Sequence, residues 1–436
     1  MKRLDVYRKV LLQMDPVRHS GRVIQLIGLT VEAEGPEVNI GDVCEIYPGR
    51  GKPPVLSEVV GFRQQRVILM PLGELEAIGP GCEVVSTGNP LRVAVGSELL
   101  GKVLDGLGRP MNGELLPSSM SYYPANNQPP NPLSRQRVKE PINVGVRAID
   151  ALLSVGKGQR VGIFAGSGVG KSTLLGMIAR NTSADVNVIA LIGERGREVL
   201  DFIERDLGEE GLARSVVVVA TSDQPALLRM KASLIATAVA EYFRDQGLNV
   251  MLMMDSVTRY AMALREVGLA VGEPPATRGY TPSVFANLPR LLERSGTGAK
   301  GTITAFYTVL VDGDDMNEPI ADAVRGILDG HMVLDRKIAQ KGHFPAIDIL
   351  QSVSRVMREI VSKDHQDAAD EVRRWMSTYK DAEDLLNIGM YQIGTNPKID
   401  QAIDKWPYIE SFTRQDVDEP SHFDQSKAEL LNLGLR

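Results

Sequence analysis

RVGIFAGSGVGKSTLL, residues 160–175, is the stretch that decides the fold. A short apolar run, residues 161–164, is followed by small residues and then by Lys171 and Ser172 at the start of an apolar segment with helical character. This order of strand, glycine-rich turn and helix start is typical of a phosphate-binding loop. Glycine is needed because backbone N–H groups must approach a polyphosphate closely, and the free amides of a helix start favour negative charge.

This loop predicts a nucleotide site in which Lys171 reaches the β- and γ-phosphates and the Ser172 hydroxyl binds a magnesium ion. The first glycine of the usual G-x-x-x-x-G-K-[ST] pattern is Ala165 here, so the alternative of a glycine-rich turn without a ligand stays open. The remaining residues expected to contact the nucleotide are Gly166, Ser167, Gly168, Val169, Gly170 and Thr173.

The composition is that of an ordinary globular protein. Of 436 residues, 43% are hydrophobic and 24% are charged, and the length alone suggests two to four domains. The formal net charge of −6 argues against a chain whose main surface binds nucleic acid. Cys44 and Cys82 lack metal-ligand spacing, so we expect reduced thiols and a cytoplasmic protein. Without a leader or a long apolar run, we expect a soluble chain.

The chain begins with an extension, residues 1–16, that carries a narrow apolar stripe of Leu4, Tyr7, Leu11 and Met14. The spacing suits either a short helix that binds a partner or a terminus that packs on its own domain, because helices this short are marginal alone.

Residues 17–88 form short alternating runs between Gly and Pro, without a helix-length periodic segment. Runs of this length predict a small closed β-barrel or a sandwich. A barrel that binds nucleic acid would need exposed aromatic side chains among basic ones, whereas this region offers Tyr47 and Phe62 near Glu32, Glu34 and Glu37. We therefore favour a structural or ring-forming module. The runs are 21–33, 43–47, 55–62, 66–71 and 83–86.

Residues 89–361 are assigned to the nucleotide domain, with 89–150 read as a linker wrapping onto it. Strand-like runs (186–192, 216–220, 250–254 and 302–309) then alternate with helical segments (198–206, 226–245 and 256–267). Such alternation predicts a mostly parallel sheet covered on both faces, with ligands beyond the carboxyl ends of its strands. We expect every candidate polar residue at that edge. Residues 362–436, including segments 367–379 and 381–393, predict a small α-helical domain.

Two acids follow apolar runs. Asp255 ends the run 250–254 and is placed to hold magnesium directly or through water. Glu194 follows the run 188–192 and could orient the attacking water, with Arg195 near phosphate. The alternative for the charged segment around Glu194 and Arg195 is a solvated turn.

Three further residues allow more than one interpretation. Arg355 ends PAIDILQSVSR, and its spacing does not say whether it is a surface charge, faces its own nucleotide or faces a neighbour's. Phe344 and Tyr391 could stack on a base or simply pack, and packing is favoured for Tyr391.

Longer segments resemble a known family. FAGSGVGKST, LIGERGREV, the Asp255 strand and PAIDILQSVSR are similar to the catalytic family of the rotary ATP synthases. Within it, SDQPALLRMKA at 222–232 and the segments 255–296 and 309–331 resemble the ATPases of type III secretion, especially the flagellar export ATPases. The resemblance is strong from about residue 91 to 409 and weaker in the barrel. It implies a RecA-like P-loop ATPase core between an N-terminal β-barrel and a C-terminal helical domain.

The resemblance also implies roles for matching positions. Lys171 and Ser172 match the phosphate and magnesium ligands, Glu194 the water-activating glutamate, and Asp255 the magnesium-associated aspartate. ATP and Mg²⁺ are the implied cofactors.

The resemblance also assigns roles to four other positions. Arg195 and Arg259 match arginines near the γ-phosphate and the glutamate. Arg355 matches the arginine finger that a ring neighbour inserts, and Phe344 matches the aromatic that stacks on adenine.

The implied assembly is a homohexamer that powers or assists flagellar type III protein export. Its implied partners are a stator-like regulator near the N-terminus, a central stalk protein, the membrane proteins of the export gate, and export substrates with their chaperones. The implied place is cytoplasmic, at the inner face of the membrane. No nucleic-acid partner is expected, and the short extension leaves the regulator's docking segment open.

Three alternatives remain at this point. The same class could serve a non-flagellar injectisome. An RNA-dependent ring helicase or transcription terminator shares the barrel and the phosphate loop, but the acidic balance argues against it. A non-catalytic ring subunit would not need Glu194 or Arg355.

Overall fold

The computed structural model describes residues 19–435 except positions 50, 76, 312 and 314. The predicted stripe of Leu4, Tyr7, Leu11 and Met14 lies outside the described residues. The described chain folds into a β-barrel, a central sheet covered by helices, and a C-terminal helical region, as the sequence predicts.

Six antiparallel strands close the N-terminal barrel in the order β1-β2-β5-β4-β3-β6, so the barrel prediction is confirmed over the sandwich. The run 21–33 is two strands rather than one, because Gly28, at φ 57°, turns the chain between them. The strands are β1 (Ser20–Ile27), β2 (Thr30–Glu34), β3 (Asp42–Tyr47), β4 (Val55–Arg63), β5 (Arg66–Pro71) and β6 (Glu83–Pro90).

Glu32 does not belong to an exposed acidic face of this barrel. Its side chain is buried in β2 and makes ion pairs with Arg63 at 3.0 Å and Arg66 at 3.1 Å. The acid is therefore neutralised within the barrel wall, and it offers no argument about what the surface binds.

The linker reading of residues 89–150 is wrong in part. Strands β7 (Arg92–Val95), β8 (Val103–Leu104) and β9 (Ser121–Pro124) lie in it; β7 pairs with β9, and β8 forms one edge of the central sheet. Residues 126–131 carry neither helix nor strand, as the Pro- and Asn-rich composition indicates, and most of 105–120 and 135–146 is irregular as well.

The central sheet has nine strands in the order β17-β16-β10-β15-β13-β11-β12-β8, with β14 paired to β15. All pairings are parallel except β16 with β17 and β14 with β15. Its strands and helices are α1 (Arg147–Leu152), β10 (Arg160–Ala165), α2 (Lys171–Asn181), β11 (Val186–Glu194), α3 (Gly196–Asp201), α4 (Gly208–Ala213), β12 (Ser215–Thr221), α5 (Ala226–Asp245), β13 (Asn249–Asp255), α6 (Val257–Ala270), α7 (Pro282–Leu292), β14 (Gly296–Thr297), β15 (Thr302–Leu310), α8 (Pro319–Ile327), β16 (Gly330–Leu334), α9 (Arg336–Gln340) and β17 (Ile347–Ser354).

Burial on both faces explains why the central strands read as continuous apolar runs. In β11, Val188, Ala190 and Ile192 pack into one core, while Ile189 and Leu191 pack into the core on the opposite face. The four predicted strands are confirmed as β11, β12, β13 and β15. The segment predicted as helical over 198–206 is helical, but α3 passes there into a π-helical turn, Phe202–Leu207, before α4.

The C-terminal region is helical, with α10 (Met357–Ile360), α11 (Lys363–Asn387), α12 (Pro397–Thr413) and α13 (Phe423–Leu435). The two predicted segments 367–379 and 381–393 are one helix, α11, followed by a loop. Among the helices that the structure describes, none is long and apolar enough to cross a membrane.

Candidate nucleotide site

The glycine-rich loop follows β10 and leads into α2. Ala165, at the first glycine position of the motif, is the last residue of β10 and pairs in register with Leu310 of β15. Alanine is tolerated there because an extended strand residue needs no left-handed backbone. Gly168 and Gly170 do need one, at φ 75° and 87°, so these two positions favour glycine.

Lys171 joins three elements at the carboxyl edge of the sheet. It starts α2, its Nζ contacts Asp255 Oδ1 at the end of β13, and it lies 3.6 Å from Glu194 Oε1 at the end of β11. The structure therefore brings together the lysine and both acids predicted from strand ends. The amides of the first turn of α2 have no partner within that helix and are available to an anion.

Thr308 is a member of this cluster that the sequence reasoning missed. Its hydroxyl donates to Asp255 Oδ1 at 2.8 Å, which fixes the buried carboxylate. A polar residue inside the apolar run of β15 was the available signal, since a buried hydroxyl needs a hydrogen-bond partner.

The pKa of the Glu194 carboxyl group is strongly raised. Burial and, next, the nearby negative charge of Asp255 raise its pKa to about 7, against the opposing effect of the cations Lys171 and Arg259. Glu194 Oε1 is buried without a hydrogen-bond partner among the described residues. A buried acceptor beside a phosphate loop, poised between protonated and ionised forms, suits a group that holds a water molecule.

The two arginines near this acid differ in placement. Arg259 lies in the first turn of α6, and its side chain packs against Gly193, where an added methyl group would lie 3.1 Å from Arg259 Cβ. Arg195 is 80% exposed and pairs with Glu198 at 3.3 Å. Only Arg259 therefore packs beside the Glu194 strand end, while Arg195 is turned toward the surface.

A cavity of about 350 Å³ lies beside the loop. Val169, Gly170 and Thr173 form one side, and Phe344 lies opposite, with its ring 3.6 Å from where a methyl group on Gly170 would be. Residues 414–417, which follow α12, close the cavity, and no sequence pattern had pointed to them. The size and lining suit a nucleotide base.

Tyr391 does not line this cavity. It lies in the loop after α11, where its hydroxyl donates to Asp400 Oδ1 at 2.8 Å. The ring is therefore placed by a contact within the helical region, away from the base cavity.

Arg355 lies at the amino-terminal end of the parallel strands, opposite the carboxyl end that carries its own phosphate loop. Its N–H donates to Asp329 O at 3.0 Å, and the Asp329 N–H donates to Arg160 O at 2.9 Å, level with the start of β10. The loop follows the other end of β10, about 16 Å away at a rise of about 3.3 Å per residue. The expectation that every candidate polar residue shares the carboxyl edge is wrong for Arg355, because β17 runs antiparallel.

The residues present fit a nucleoside triphosphate. The left-handed glycines and helix amides suit phosphate, the Lys171 ammonium already lies between two carboxylates, and the Phe344 cavity suits a base. The Ser172 hydroxyl, on the exposed start of α2, and the Asp255 carboxylate are hard oxygen ligands of the kind that magnesium takes. Fold and site together define a P-loop ATPase with an N-terminal barrel and a C-terminal helical domain.

Comparison with known proteins agrees with this class. The nucleotide-binding domain of the ATP synthase alpha/beta family matches residues 145–354, its beta-barrel domain matches 23–88, and the T3SS EscN ATPase C-terminal domain matches 361–432.

Whole proteins and solved structures match over nearly the full length. The flagellum-specific ATP synthase of Bacillus subtilis is 60% identical over 96% of this chain and 96% of its own length. The type 3 secretion system ATPase of Xanthomonas euvesicatoria is 51% identical over 94% of this chain and 92% of its own. The assembled ATPase EscN of enteropathogenic E. coli matches with a TM-score of 0.89 and 47% identity over 95% of this chain and 100% of that one. The chain belongs to the family of flagellar and type III secretion ATPases, and it is an ATPase.

Proposed function

We propose that this chain works as a homohexameric, magnesium-dependent ATPase of the flagellar type III export apparatus. The observation that carries the proposal is the position of Arg355, about 16 Å of strand away from its own phosphate loop. An arginine at that edge can serve a nucleotide only across an interface between subunits. The name of the Bacillus subtilis relative favours the flagellar role, and that of the Xanthomonas euvesicatoria relative keeps an injectisome role as the neighbouring possibility.

The proposal gives a role to four residues beside the carboxyl ends of the strands: Lys171, Ser172, Glu194 and Asp255. Lys171 holds the β- and γ-phosphates, and the amides of residues 166–173 surround the phosphate chain. Ser172 and Asp255 hold magnesium, which would neutralise phosphate charge when bound. Glu194 accepts a hydrogen bond from the attacking water and orients it.

Four more residues complete the proposed site. Arg259 favours the ionised form of Glu194 and lies near the γ-phosphate, and Arg195 turns from Glu198 toward phosphate when nucleotide is present. The Phe344 ring stacks on adenine. Arg355 of each subunit stabilises charge at the neighbour's γ-phosphate, as an arginine finger does.

The proposed partners follow from the family. EscN has been solved in complex with its central stalk EscO, which supports a central stalk partner for this chain. A stator-like regulator, the membrane proteins of the export gate, and export substrates with their chaperones complete the proposed assembly. We place it in the cytoplasm at the inner face of the membrane, where hydrolysis releases and unfolds substrates.

A mixing experiment tests the shared site. Lys171→Ala keeps the finger but lacks the phosphate clamp, and Arg355→Ala keeps the clamp but lacks the finger, so each alone should be inactive. In rings reassembled from equal amounts, about one interface in four pairs an intact clamp with an intact finger, and turnover should return to about a quarter of the parent's.

Two controls make this experiment decisive. The exposed cation Lys363, which pairs with Asp367 at 2.8 Å, gives the matched variant Lys363→Ala, which should turn over normally alone. Magnesium-ATP turnover is measured against protein concentration with gel filtration alongside. Full activity of a monomer, or no recovery in mixed rings of hexamer size, would overturn the proposal.

A further inference from the structure

Gln415 is a buried polar side chain in a segment that is otherwise largely exposed. The segment 414–420 follows α12, and Gln415 is 3% exposed while Arg414, Asp416 and Val417 are exposed. A glutamine has one strong acceptor and two donor hydrogens on its side chain, and burial demands that they be used.

All three side-chain hydrogen bonds of Gln415 are made. Gln415 Oε1 accepts from the Arg147 N–H at 2.7 Å, and Nε2 donates to Gly145 O at 3.0 Å and to Glu419 O at 2.8 Å. The first two partners belong to the segment that leads into α1 of the nucleotide domain, and the third belongs to the C-terminal segment. One amide therefore joins these two parts of the chain.

The backbone of the same residue reaches the base cavity. The Gln415 N–H donates to Phe344 O at 3.0 Å, so the aromatic residue and the C-terminal segment are linked directly. Further along, Arg180 at the end of α2 donates to Val417 O at 2.8 Å. The cavity wall made by residues 414–417 is thus tied to Phe344, to residues 145–147 and to the helix that begins at the phosphate loop.

We infer that Gln415 is a positioning residue for recognition of the nucleotide base. By joining Phe344 to the segments 145–147 and 414–419, it sets the width of the cavity into which the purine fits. It contacts none of the carboxyl-edge residues that would carry out hydrolysis. The inference rests on the proposed assignment of this cavity to the base.

The inference predicts a split between base and phosphate binding. In Gln415→Ala, KM for magnesium-ATP should rise about tenfold, the loss expected of one or two net hydrogen bonds, while kcat changes less than about twofold. Binding of inorganic tripolyphosphate, which has no base, should stay the same. Gln425→Ala is the matched control, because Gln425 is exposed and bonds only to Glu429 at 3.0 Å in the described contacts.

A second variant protects the test against misfolding. Gln415→Glu has the same length and can still accept from the Arg147 N–H, but it cannot donate to the two carbonyl groups, so the same split is expected. Both variants are checked by thermal unfolding. Equal losses of ATP and tripolyphosphate binding would show a merely structural role and overturn the inference, as would an unchanged KM in a folded variant.

Failure of the wider proposal has a different signature. Lys171→Ala should lose ATP and tripolyphosphate together, because the phosphate clamp is shared by both ligands. If Lys171→Ala kept tripolyphosphate binding, the phosphate-loop assignment would be wrong, whatever Gln415→Ala shows.

Discussion

Turnover at low substrate should rise about tenfold between pH 6 and pH 8, because Glu194 must be ionised to accept a hydrogen bond from water. Burial raises the pKa of Glu194 to about 7, so the protonated form dominates below that pH and the carboxylate above it. A group with pKa 7 is ionised about 9% at pH 6 and about 91% at pH 8. An acid with the ordinary value of 4.5 would be ionised throughout this range, and turnover would not change.

The cations around Glu194 supply a further test of the cause. Arg259 lowers the pKa of Glu194 against the larger effects of burial and of Asp255. Arg259→Met should therefore move the midpoint of the rising limb to higher pH, because a positive charge that favours the carboxylate is removed. A midpoint that moved to lower pH would contradict this electrostatic account.

The quantity to measure is kcat/KM for magnesium-ATP, which reports groups of the free enzyme. The matched control is the affinity of Glu194→Gln for magnesium-ATP over the same range, since this variant keeps the shape of the side chain but cannot ionise. A flat kcat/KM from pH 6 to pH 8 would refute the raised pKa. A limb that appears equally in the binding by Glu194→Gln would belong to another group.

Three other substitutions have defined outcomes. Lys171→Ala should lower kcat/KM by about two to three orders of magnitude, measured by phosphate release, and near-normal activity would mean the loop is misread. Arg294→Met should lower the free energy of unfolding in denaturant by about 3–5 kcal/mol, because Glu241 stays buried without its cation; Arg294→Met with Glu241→Gln should recover part of it. Burial raises the pKa of Asp150 to about 7. The stability that this acid contributes is fully present below pH 4, and the free energy of unfolding should fall by about 1.4 kcal/mol per pH unit from there to pH 7. Asp150→Asn should remove that slope.

The central sheet was predictable where its strands are buried on both faces. The runs of β11 and β13 contain almost no polar residue, so their pattern identifies them without knowledge of their partners. β17 escaped prediction because Asp348 and Ser352 interrupt its apolar pattern; both are buried, and local hydrogen bonds satisfy them. The two-residue strand β8 is too short for any pattern.

The residues of the site also divide into those that the sequence predicts and those that it does not. Lys171, Glu194 and Asp255 could be placed together from sequence, because parallel strands bring their carboxyl ends to one edge. Thr308 and Gln415 could not, since their roles depend on partners 53 and 268 residues away along the chain. A motif records local geometry, whereas the walls of the base cavity are set by the packing of distant segments.

Arg355 shows how the direction of one strand changes a functional argument. Because β17 is antiparallel, the residue after it lies with the start of β10, where Arg355, Arg358 and Arg373 line a cavity with Asp370 as the single acid among the described lining residues. Such an excess of positive charge suits an anion. In the proposed ring each interface joins two different surfaces, so the phosphate-loop edge of one subunit can meet the arginine edge of the next at every interface. In that ring, Arg355, too far from its own nucleotide, would complete a neighbour's site, and hydrolysis would depend on assembly.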